Sequence, residues 1–376
     1  VHSLELPRRG AMGNASGSSC LEGVRGASGL SKPFRPVPAT PKVGFKVCVC
    51  GGAGNLGQPL CMLAALDPFV SELAVYDRAI SMLPPEGIAK DLDHIERRCR
   101  VKAYSLTSIK KEVDHLEECL TGCHLVLACV GVPIQGKKKE ELVKYNGSMV
   151  KSIVEACAKF CPNAVVGLIV NPVTAVVPAM AKLYEKSGLD PLKICGITTL
   201  DVLRANKFAA EETGVPAELV RVPVVGGHSG HSNSASSLAL FSQDPAAARI
   251  PEARRAAFLQ SVQELSAENS GTGASSRGKG ATLSQAYAAW RFGNAVLSGL
   301  AGEKTDEFCF LKSDACPGVS FFASKVTFGL AGVEKIHPIG KISTAEQAML
   351  ERIKAELVQD IQDGFDYAER TELSAG

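Results

Sequence analysis

The sequence predicts an α/β fold, in which a parallel sheet covered by helices on both faces precedes a second, α+β domain. Short apolar runs alternate with amphipathic helical segments from residue 44 to about residue 197. Parallel strands that are buried on both faces appear in a sequence as near-continuous apolar runs. After about residue 198 the segments become longer helices with isolated strands between them. A chain of 376 residues is long enough for two domains.

Each predicted element follows from the distribution of apolar residues along the chain. The strands of the first domain are the apolar runs at residues 45–50, 73–76, 125–130, 164–170 and 193–197. In the second domain, helices are predicted at residues 252–268, 281–300 and 344–369, and extended segments at 308–311 and 319–330. We therefore divide the chain into a leader (1–43), a first domain (44–197) and a second domain (198–376).

The overall charge and hydropathy exclude two classes of function. Lys and Arg total 41 and Asp and Glu total 39, which gives a formal net charge of +2. A dedicated nucleic-acid-binding protein usually has a strongly basic face, so no nucleic-acid partner is expected. No apolar run reaches the roughly 18 residues that a membrane-spanning helix needs, so no membrane partner is expected.

The thirteen cysteines indicate reduced thiols and neither disulfides nor a metal site. Their number is odd and their spacing irregular, in a chain too large to depend on disulfides, which favours an intracellular or organellar compartment. Cys119 and Cys123, and likewise Cys157 and Cys161, share a spacing seen in metal sites. Because they fall in patterns of helix and buried strand, we predict buried free thiols at these positions and no metal.

Residues 1–43 differ in composition from the rest of the chain. They contain six basic and two acidic side chains, are rich in Ser, Gly and Pro, and show no apolar periodicity. An Arg- and Ser-rich segment with few acids is typical of an organellar transit peptide, and a disordered tail or cloning remnant is the alternative. The expected compartment is the mitochondrial matrix, with another organelle or the cytoplasm as alternatives.

A glycine-rich loop after the first predicted strand has the pattern of a dinucleotide-binding site. The loop reads Gly51-Gly52-Ala53-Gly54-Asn55-Leu56-Gly57 and leads into an apolar helix. Glycines at positions 51, 54 and 57 let the backbone turn tightly and approach a pyrophosphate, which the N-terminus of the helix then attracts. Asp77 ends the next strand, twenty residues beyond Gly57, where its carboxylate can bond a ribose 2′-hydroxyl. The pattern predicts a Rossmann-type domain that binds NAD in preference to NADP; a simple tight turn is the alternative.

Three polar residues of the second domain form a candidate catalytic group. Asp201 and Arg204 lie three residues apart at the start of a predicted helix, so they share one face. His228 follows a strand in a Gly-rich turn. Transfer of a hydride to or from a secondary alcohol needs a proton acceptor, which imidazole supplies, and a carboxylate behind it fixes its tautomer. A guanidinium nearby can grip a substrate carboxylate. The alternative is a histidine of a surface turn beside an ordinary ion pair.

The sequence resembles the lactate/malate dehydrogenase family, and within it the mitochondrial-type malate dehydrogenases. The matching stretches are residues 51–60, Val75-Tyr76-Asp77, 90–95, Gly131-Val132-Pro133, Asn171-Pro172-Val173, 196–206, 222–230 and 281–287. They occur in the order of the family and span residues 44–370. The resemblance implies that His228 is the acid/base, that Asp201 is its partner and that Arg204 holds the C1 carboxylate of the substrate. It also implies that Asn146 and Asn171 lie near the nicotinamide end of NAD.

The chain departs from the family pattern in the expected substrate pocket. The resemblance implies two arginines on the mobile loop after residues 131–133, one for the far carboxylate of malate and one for the reacting carbonyl. Here Ile134 and Lys139 stand at those positions, and residues 101–203 contain no arginine. Thr174 replaces an asparagine expected on the substrate side. Lys137, Lys138 or Lys139 could supply the cation for the far carboxylate, since lysine keeps the positive charge, but it lacks the planar fork that binds a carboxylate bidentately.

These departures leave more than one function open. The first is interconversion of (S)-malate and oxaloacetate with NAD, as the resemblance implies. The second is the same chemistry on an aromatic or branched 2-oxo acid, which Ile134 would suit. The third is a weakly active or inactive relative that serves as a binding or structural subunit. The expected partners are a small 2-oxo or 2-hydroxy acid and, since the family is usually dimeric, a second copy of this chain.

Overall fold

The structure is a computed structural model, and it describes residues 43–78, 83–106, 115–132, 138–228, 236–268 and 282–371. Its strands are β1 (Phe45–Cys50), β2 (Val70–Arg78), β3 (Arg100–Leu106), β4 (Leu125–Ala128), β5 (Val165–Leu168), β6 (Ile194–Gly196), β7 (Val224–Gly226), β8 (Ser237–Ala239), β9 (Thr305–Lys312), β10 (Phe321–Gly329) and β11 (Gly332–Ile336). Its helices are α1 (Gly57–Leu66), α2 (Pro85–Leu92), α3 (Leu116–Leu120), α4 (Lys139–Phe160), α5 (Val173–Lys186), α6 (Thr199–Thr213), α7 (Glu252–Glu268), α8 (Thr282–Leu300) and α9 (Thr344–Glu369). No helix in these ranges is long and apolar enough to cross a membrane.

All strands of the described ranges join in one mixed sheet. Its first part is parallel, in the order β3-β2-β1-β4-β5-β6, and its second part continues as β9-β10-β7-β8 through antiparallel pairs, with β11 on β10. From β1 the strand order runs outward through β2 to β3 on one side, and from β4 it runs outward through β5 to β6 on the other. The order therefore reverses between β1 and β4, which are parallel neighbours. In open α/β sheets, ligands bind at the carboxyl ends of the strands where the order reverses. The predicted α/β class and the Rossmann-type order are confirmed.

Three strands differ from the sequence prediction, because β3, β8 and β11 were not predicted as separate strands. Strand β3 was not predicted, because its sequence alternates charged or polar with apolar residues, as expected for an edge strand and unlike the buried apolar runs. The predicted extended segment 319–330 ends at Gly329, and the chain then turns back into β11. Gly332 begins β11 with φ +98°, a conformation that favours glycine and that periodicity alone does not reveal.

Hydrophobic side chains cover both faces of the sheet. One cluster packs residues of α4, α5 and α9 against one face, and the other packs α1 and α8 against the opposite face. Trp290 of α8 lies in the second cluster, where its Nε1 donates to Asp67 Oδ2 at 3.1 Å. With 7% of its surface exposed, Trp290 belongs to the core.

Helix α9 is fixed at two points along its length. Near its C-terminal end, a Cβ built at Gly364 would lie only 2.2 Å from the carbonyl oxygen of Ala175 in α5, so the two backbones are in close contact. At its N-terminus, the buried Glu346 carboxylate accepts hydrogen bonds from Ser343 N at 2.7 Å, Ser242 N at 2.9 Å and Ser242 Oγ at 2.5 Å. Burial acts to raise the pKa of Glu346, but these hydrogen bonds outweigh it and the pKa is lowered.

The lowered pKa of Glu346 predicts a pH-dependent contribution to stability. Because the folded-state pKa lies below the unfolded value, the contribution is complete above the unfolded pKa and is lost as the pH falls through the folded pKa. We expect Glu346→Gln to reduce the free energy of unfolding by about 2 kcal/mol at pH 7. Urea unfolding of both proteins between pH 3 and pH 7 should show this difference narrowing below about pH 4.

The control is Glu351→Gln, which removes the same charge from an exposed position on the same helix. It should change the free energy of unfolding by less than about 0.5 kcal/mol. A difference between wild type and Glu346→Gln that stays constant across the pH range would contradict the assigned role of the carboxylate.

Candidate active site

The glycine-rich loop forms a close turn between β1 and α1. The amide nitrogens of Gly51 and Gly52 both donate to the carbonyl oxygen of Tyr76, at 2.8 and 3.1 Å, which ties the loop to β2. A Cβ at Gly51 would lie 2.6 Å from the carbonyl oxygen of Cys129, and one at Gly57 would lie 2.0 Å from that of Gly51. Gly54 and Asn55 are exposed at the tip of the loop. Side chains are therefore excluded where a phosphate group would approach the start of α1.

Asp77 lies beside this loop at the carboxyl end of β2. Its Oδ2 accepts a hydrogen bond from the amide nitrogen of Ala53 at 2.9 Å. The structure thus brings the predicted carboxylate to the loop, across a gap of 24 residues in the chain. A carboxylate at this place can bond a sugar hydroxyl, whereas a phosphate there would meet a negative charge.

Asn146 and Asn171 are also brought together, though Asn146 has a role that the sequence did not reveal. The side chain of Asn146 is almost completely buried, with 1% of its surface exposed. Its Oδ1 accepts from Val132 N at 2.8 Å and its Nδ2 donates to the carbonyl oxygen of Asn171 at 2.6 Å. Asn146 therefore fixes the loops that follow β4 and β5, and it leaves Asn171 beside the expected cofactor site.

The candidate catalytic pair is assembled from α6 and the turn after β7. His228 Nδ1 lies 2.7 Å from Asp201 Oδ2, and Asp201 is only 1% exposed. The pairing orients the imidazole so that Nε2 is the nitrogen free to exchange a proton with a ligand. The sequence prediction of these two residues as partners agrees with this geometry.

Arg204 lies one helical turn after Asp201 and completes the group. Its Nη1 is 3.9 Å from Asp201 Oδ1, and its side chain is 10% exposed. Burial lowers the pKa of Arg204 and the Asp201 carboxylate opposes that change. A guanidinium remains charged at neutral pH even so, and it can bind a carboxylate bidentately.

The two predicted substrate residues outside this group have a partner that the sequence did not reveal. Lys139 Nζ bonds Asp360 Oδ1 and lies 2.6 Å from Asp363 Oδ2, and Thr174 Oγ1 donates to Asp360 Oδ2 at 2.5 Å. Both aspartates belong to α9, more than 180 residues away in the chain. In the sequence, Asp360 and Asp363 are marked only by their three-residue spacing on a predicted helix, which places them on one face. Many exposed pairs share this spacing, so it does not indicate a contact with Lys139. Ile134, the third predicted substrate residue, lies outside the described residues.

The remaining candidates are cysteines. Cys119, Cys123, Cys157 and Cys161 are buried and not in disulfides. Cys119 Sγ lies 3.4 Å from Cys48 Sγ, and burial contributes to raising the pKa of Cys123 well above its usual range. Within the described ranges, no group of three or more His, Cys, Asp or Glu side chains is arranged to hold a metal ion.

Comparison with known proteins agrees with this architecture. Residues 45–196 match the model of the lactate/malate dehydrogenase NAD binding domain, and residues 198–368 match that of the family's alpha/beta C-terminal domain. Among curated relatives, a mitochondrial malate dehydrogenase of Eucalyptus gunnii is 40% identical, over 86% of this chain and 89% of the relative. A peroxisomal malate dehydrogenase 2 of Arabidopsis thaliana is 37% identical, over 86% and 88% of the two chains.

Solved structures share the fold. The malate dehydrogenase of Cryptosporidium parvum superposes with a TM-score of 0.70 at 22% identity, covering 86% of this chain and all of that one. The lactate dehydrogenase of the same organism, solved with lactic acid and nicotinamide adenine dinucleotide, gives 0.68 at 22% identity, covering 85% and 97%. The predicted cofactor NAD and the predicted class, an NAD-dependent dehydrogenase, are confirmed by the domain match. The chain belongs to the lactate/malate dehydrogenase family.

Proposed function

We propose that this chain interconverts (S)-malate and oxaloacetate with NAD. The observation that carries the proposal is the 2.7 Å contact between Asp201 and His228 with Arg204 beside the same carboxylate. Oxidation of a 2-hydroxy acid requires two groups from the protein: an imidazole that exchanges a proton with the hydroxyl, and a cation that binds the carboxylate. Relatives that are 37–40% identical over 86% of the chain carry the name malate dehydrogenase, which supports malate as the substrate.

The cofactor site proposed here lies at the carboxyl ends of β1, β2, β4 and β5. The loop residues Gly51, Gly54, Asn55, Leu56 and Gly57 face the pyrophosphate, and Asp77 binds the adenosine ribose. Asn171 lies at the nicotinamide end, and Asn146 holds it there through the backbone contacts described above. Close packing of the backbone at Gly51 and Gly57 forms a tight turn before α1, as a loop that holds a dinucleotide phosphate requires.

In the proposed reaction, the bound nicotinamide accepts or donates the hydride at C2 of the substrate. Arg204 holds the C1 carboxylate, which fixes C2 in place. His228 takes the hydroxyl proton during oxidation of malate and returns it to the oxygen during reduction of oxaloacetate. Asp201 stabilises the imidazolium that forms and holds the ring in one tautomer.

A second candidate substrate is a 2-oxo acid with an aromatic or branched side chain. The observation that favours it is that Lys139, one of the three loop lysines that could bind a far carboxylate, is engaged by Asp360 and Asp363. The sequence adds that residues 101–203 contain no arginine and that Ile134 stands where the family has one. Such a pocket suits a substrate with a single carboxylate.

The proposed assembly and location extend these interpretations. We take the boundary between cofactor and catalytic domains near residue 197, and a second copy of this chain as partner, in a homodimer. Helices α1 and α8 pack against each other, and their exposed apolar side chains support such an interface: they are Met62, Leu283 and Tyr287.

The composition of residues 1–43 supports a location in the mitochondrial matrix, where the reaction would belong to the tricarboxylic acid cycle.

A substrate panel tests the proposed reaction. With the full chain and NADH, oxidation of NADH should be fastest with oxaloacetate and slower with phenylpyruvate and a branched 2-oxo acid. The reverse order would favour the second candidate. Binding of NADH without turnover of any of the three acids would contradict both and would favour a binding or structural subunit.

Replacement of the proposed acid/base tests the catalytic assignment. His228→Asn should lower kcat by about 10²–10⁴, because the proposed proton acceptor is removed, while the Kd for NADH changes little. His337→Asn, in which a histidine bonded to Thr327 is replaced, is the matched control and should leave kcat unchanged. Equal activity in His228→Asn and wild type would show that the proton acceptor is another residue.

The loop geometry predicts how the cofactor site responds to a single added methyl group. In Gly57→Ala the Cβ would collide with the carbonyl oxygen of Gly51, so the loop must open, and the Kd for NADH should rise at least about tenfold. Gly87→Ala in α2 is the control, because its Cβ would meet nothing nearer than 3.9 Å. Fluorescence titration with NADH measures both constants, and an unchanged Kd in Gly57→Ala would place the cofactor elsewhere.

A further inference from the structure

The turn that carries His228 is bordered by Thr174 and helix α9. A Cβ built at Gly227, the residue before His228, would lie 2.7 Å from Thr174 Cγ2 and 2.7 Å from Leu357 Cδ2 of α9. Thr174 and the middle of α9 therefore pack directly against this turn, with Thr174 3% and Leu357 0% exposed, and this packed layer is the wall next to the candidate acid/base. Asp360 lies one helical turn after Leu357 and bonds Thr174 directly.

Lys139 reaches the same wall from the first residue of α4. Its ammonium contacts the carboxylates of Asp360 and Asp363, while the second oxygen of Asp363 accepts from Gln359 Nε2 at 2.8 Å. The side chain of Lys139 is 26% exposed, so these contacts are partly shielded from water. Burial acts to lower the pKa of Lys139, but the hydrogen bonds with the two aspartates outweigh it and raise the pKa. The ammonium is thus held in its charged form.

The close contact between α9 and α5 holds the two carboxylates in place. Gly364 directly follows Asp363, and its contact with the Ala175 backbone leaves no room for a shift of the helix. Thr174 precedes Ala175 and bonds Asp360, so both ends of this short segment are fixed. The aspartates cannot withdraw from Lys139 without separating the helices.

The charges in this wall do not balance. Among the described residues, two carboxylates face one ammonium, which leaves a net negative charge in this cluster. A substrate with a second carboxylate has to overcome this repulsion and to take Lys139 from its present partners. A substrate with one carboxylate, bound by Arg204, meets neither cost.

We propose that Asp360 and Asp363 are internal counter-anions that compete with the far carboxylate of a dicarboxylic substrate for Lys139. They are specificity-determining residues that weaken the binding of oxaloacetate relative to 2-oxo acids with one carboxylate. The inference rests on the proposed function, because it takes the pocket beside His228 as the substrate site.

Neutral, isosteric variants of the full-length protein test this competition. Asp363→Asn and Asp360→Asn keep an oxygen that accepts from Gln359 or Thr174 but remove the negative charge. Each should raise the ratio of kcat/KM for oxaloacetate to that for 2-oxobutanoate by about tenfold, mainly through a lower KM for oxaloacetate. The matched control is Asp366→Asn, which removes a charge from an exposed position of α9 bonded to Gln362 and should leave the ratio unchanged.

A second arm links the effect to Lys139. In a Lys139→Gln background the Asp363→Asn substitution should no longer raise the ratio, because no cation remains to be released. An unchanged ratio in both aspartate variants overturns the inference. A fall in the ratio also overturns it, since it would mean that the aspartates position Lys139 for the substrate.

A binding measurement separates failure of this inference from failure of the proposed function. The NADH complex is titrated with hydroxymalonate, a dicarboxylate analogue, and cofactor fluorescence gives its Kd without turnover. A Kd that is about tenfold lower in Asp363→Asn supports the competition even if turnover is slow. An equal Kd in wild type and variant overturns the competition, whereas a protein that does not bind NADH overturns the proposed function as well.

Discussion

The buried carboxylate of Asp201 is the constraint on which the site depends. A carboxylate with 1% exposure costs several kcal/mol unless cations and hydrogen-bond donors surround it, and His228 and Arg204 are the groups at hand. One comes from the same helix and the other from a turn after a strand in the antiparallel part of the sheet. The need to compensate one charge therefore holds α6 and that turn together, and it places the imidazole that we propose as the proton acceptor.

Local patterns were sufficient to predict the parts of the site that each lie on one short segment. The glycine-rich loop, Asp77 and the turn with His228 each have a recognisable pattern within a few residues. The periodicity of apolar residues predicts the parallel sheet. Lys139 and Asp360 are 221 residues apart in the chain. The residues around each of them form no pattern that would predict their contact. Asn146 was predicted near the cofactor, yet only the fold shows that backbone groups occupy its amide. Such contacts depend on how helices pack in the folded chain, and local sequence patterns do not reveal that packing.

The two groups of acidic residues illustrate how the surroundings decide what an aspartate does. Asp201 is enclosed and faces a histidine and an arginine, so its charge supports proton transfer. Asp360 and Asp363 are partly exposed and together outnumber the single ammonium they face, so their charge acts on whatever enters the pocket. The pocket is thus polarised, with a cationic end at Arg204 and a net negative wall at α9.

The position of α9 in the chain has a consequence for the order of folding. The glycine-rich loop, Asp77 and the parallel strands all lie within the first 196 residues of the chain, and none of the pairings between these strands spans more than 78 residues. The wall of the pocket needs residues 360 and 363 to dock on α4 and α5, which is a contact of very long sequence separation. Contacts between residues far apart in the chain form slowly, and domains fold as their residues emerge. The parallel strands can therefore pair before Lys139 contacts Asp360 and Asp363. An intermediate that lacks α9 would therefore contain the glycine-rich loop and Asp77 but not the carboxylates that face Lys139.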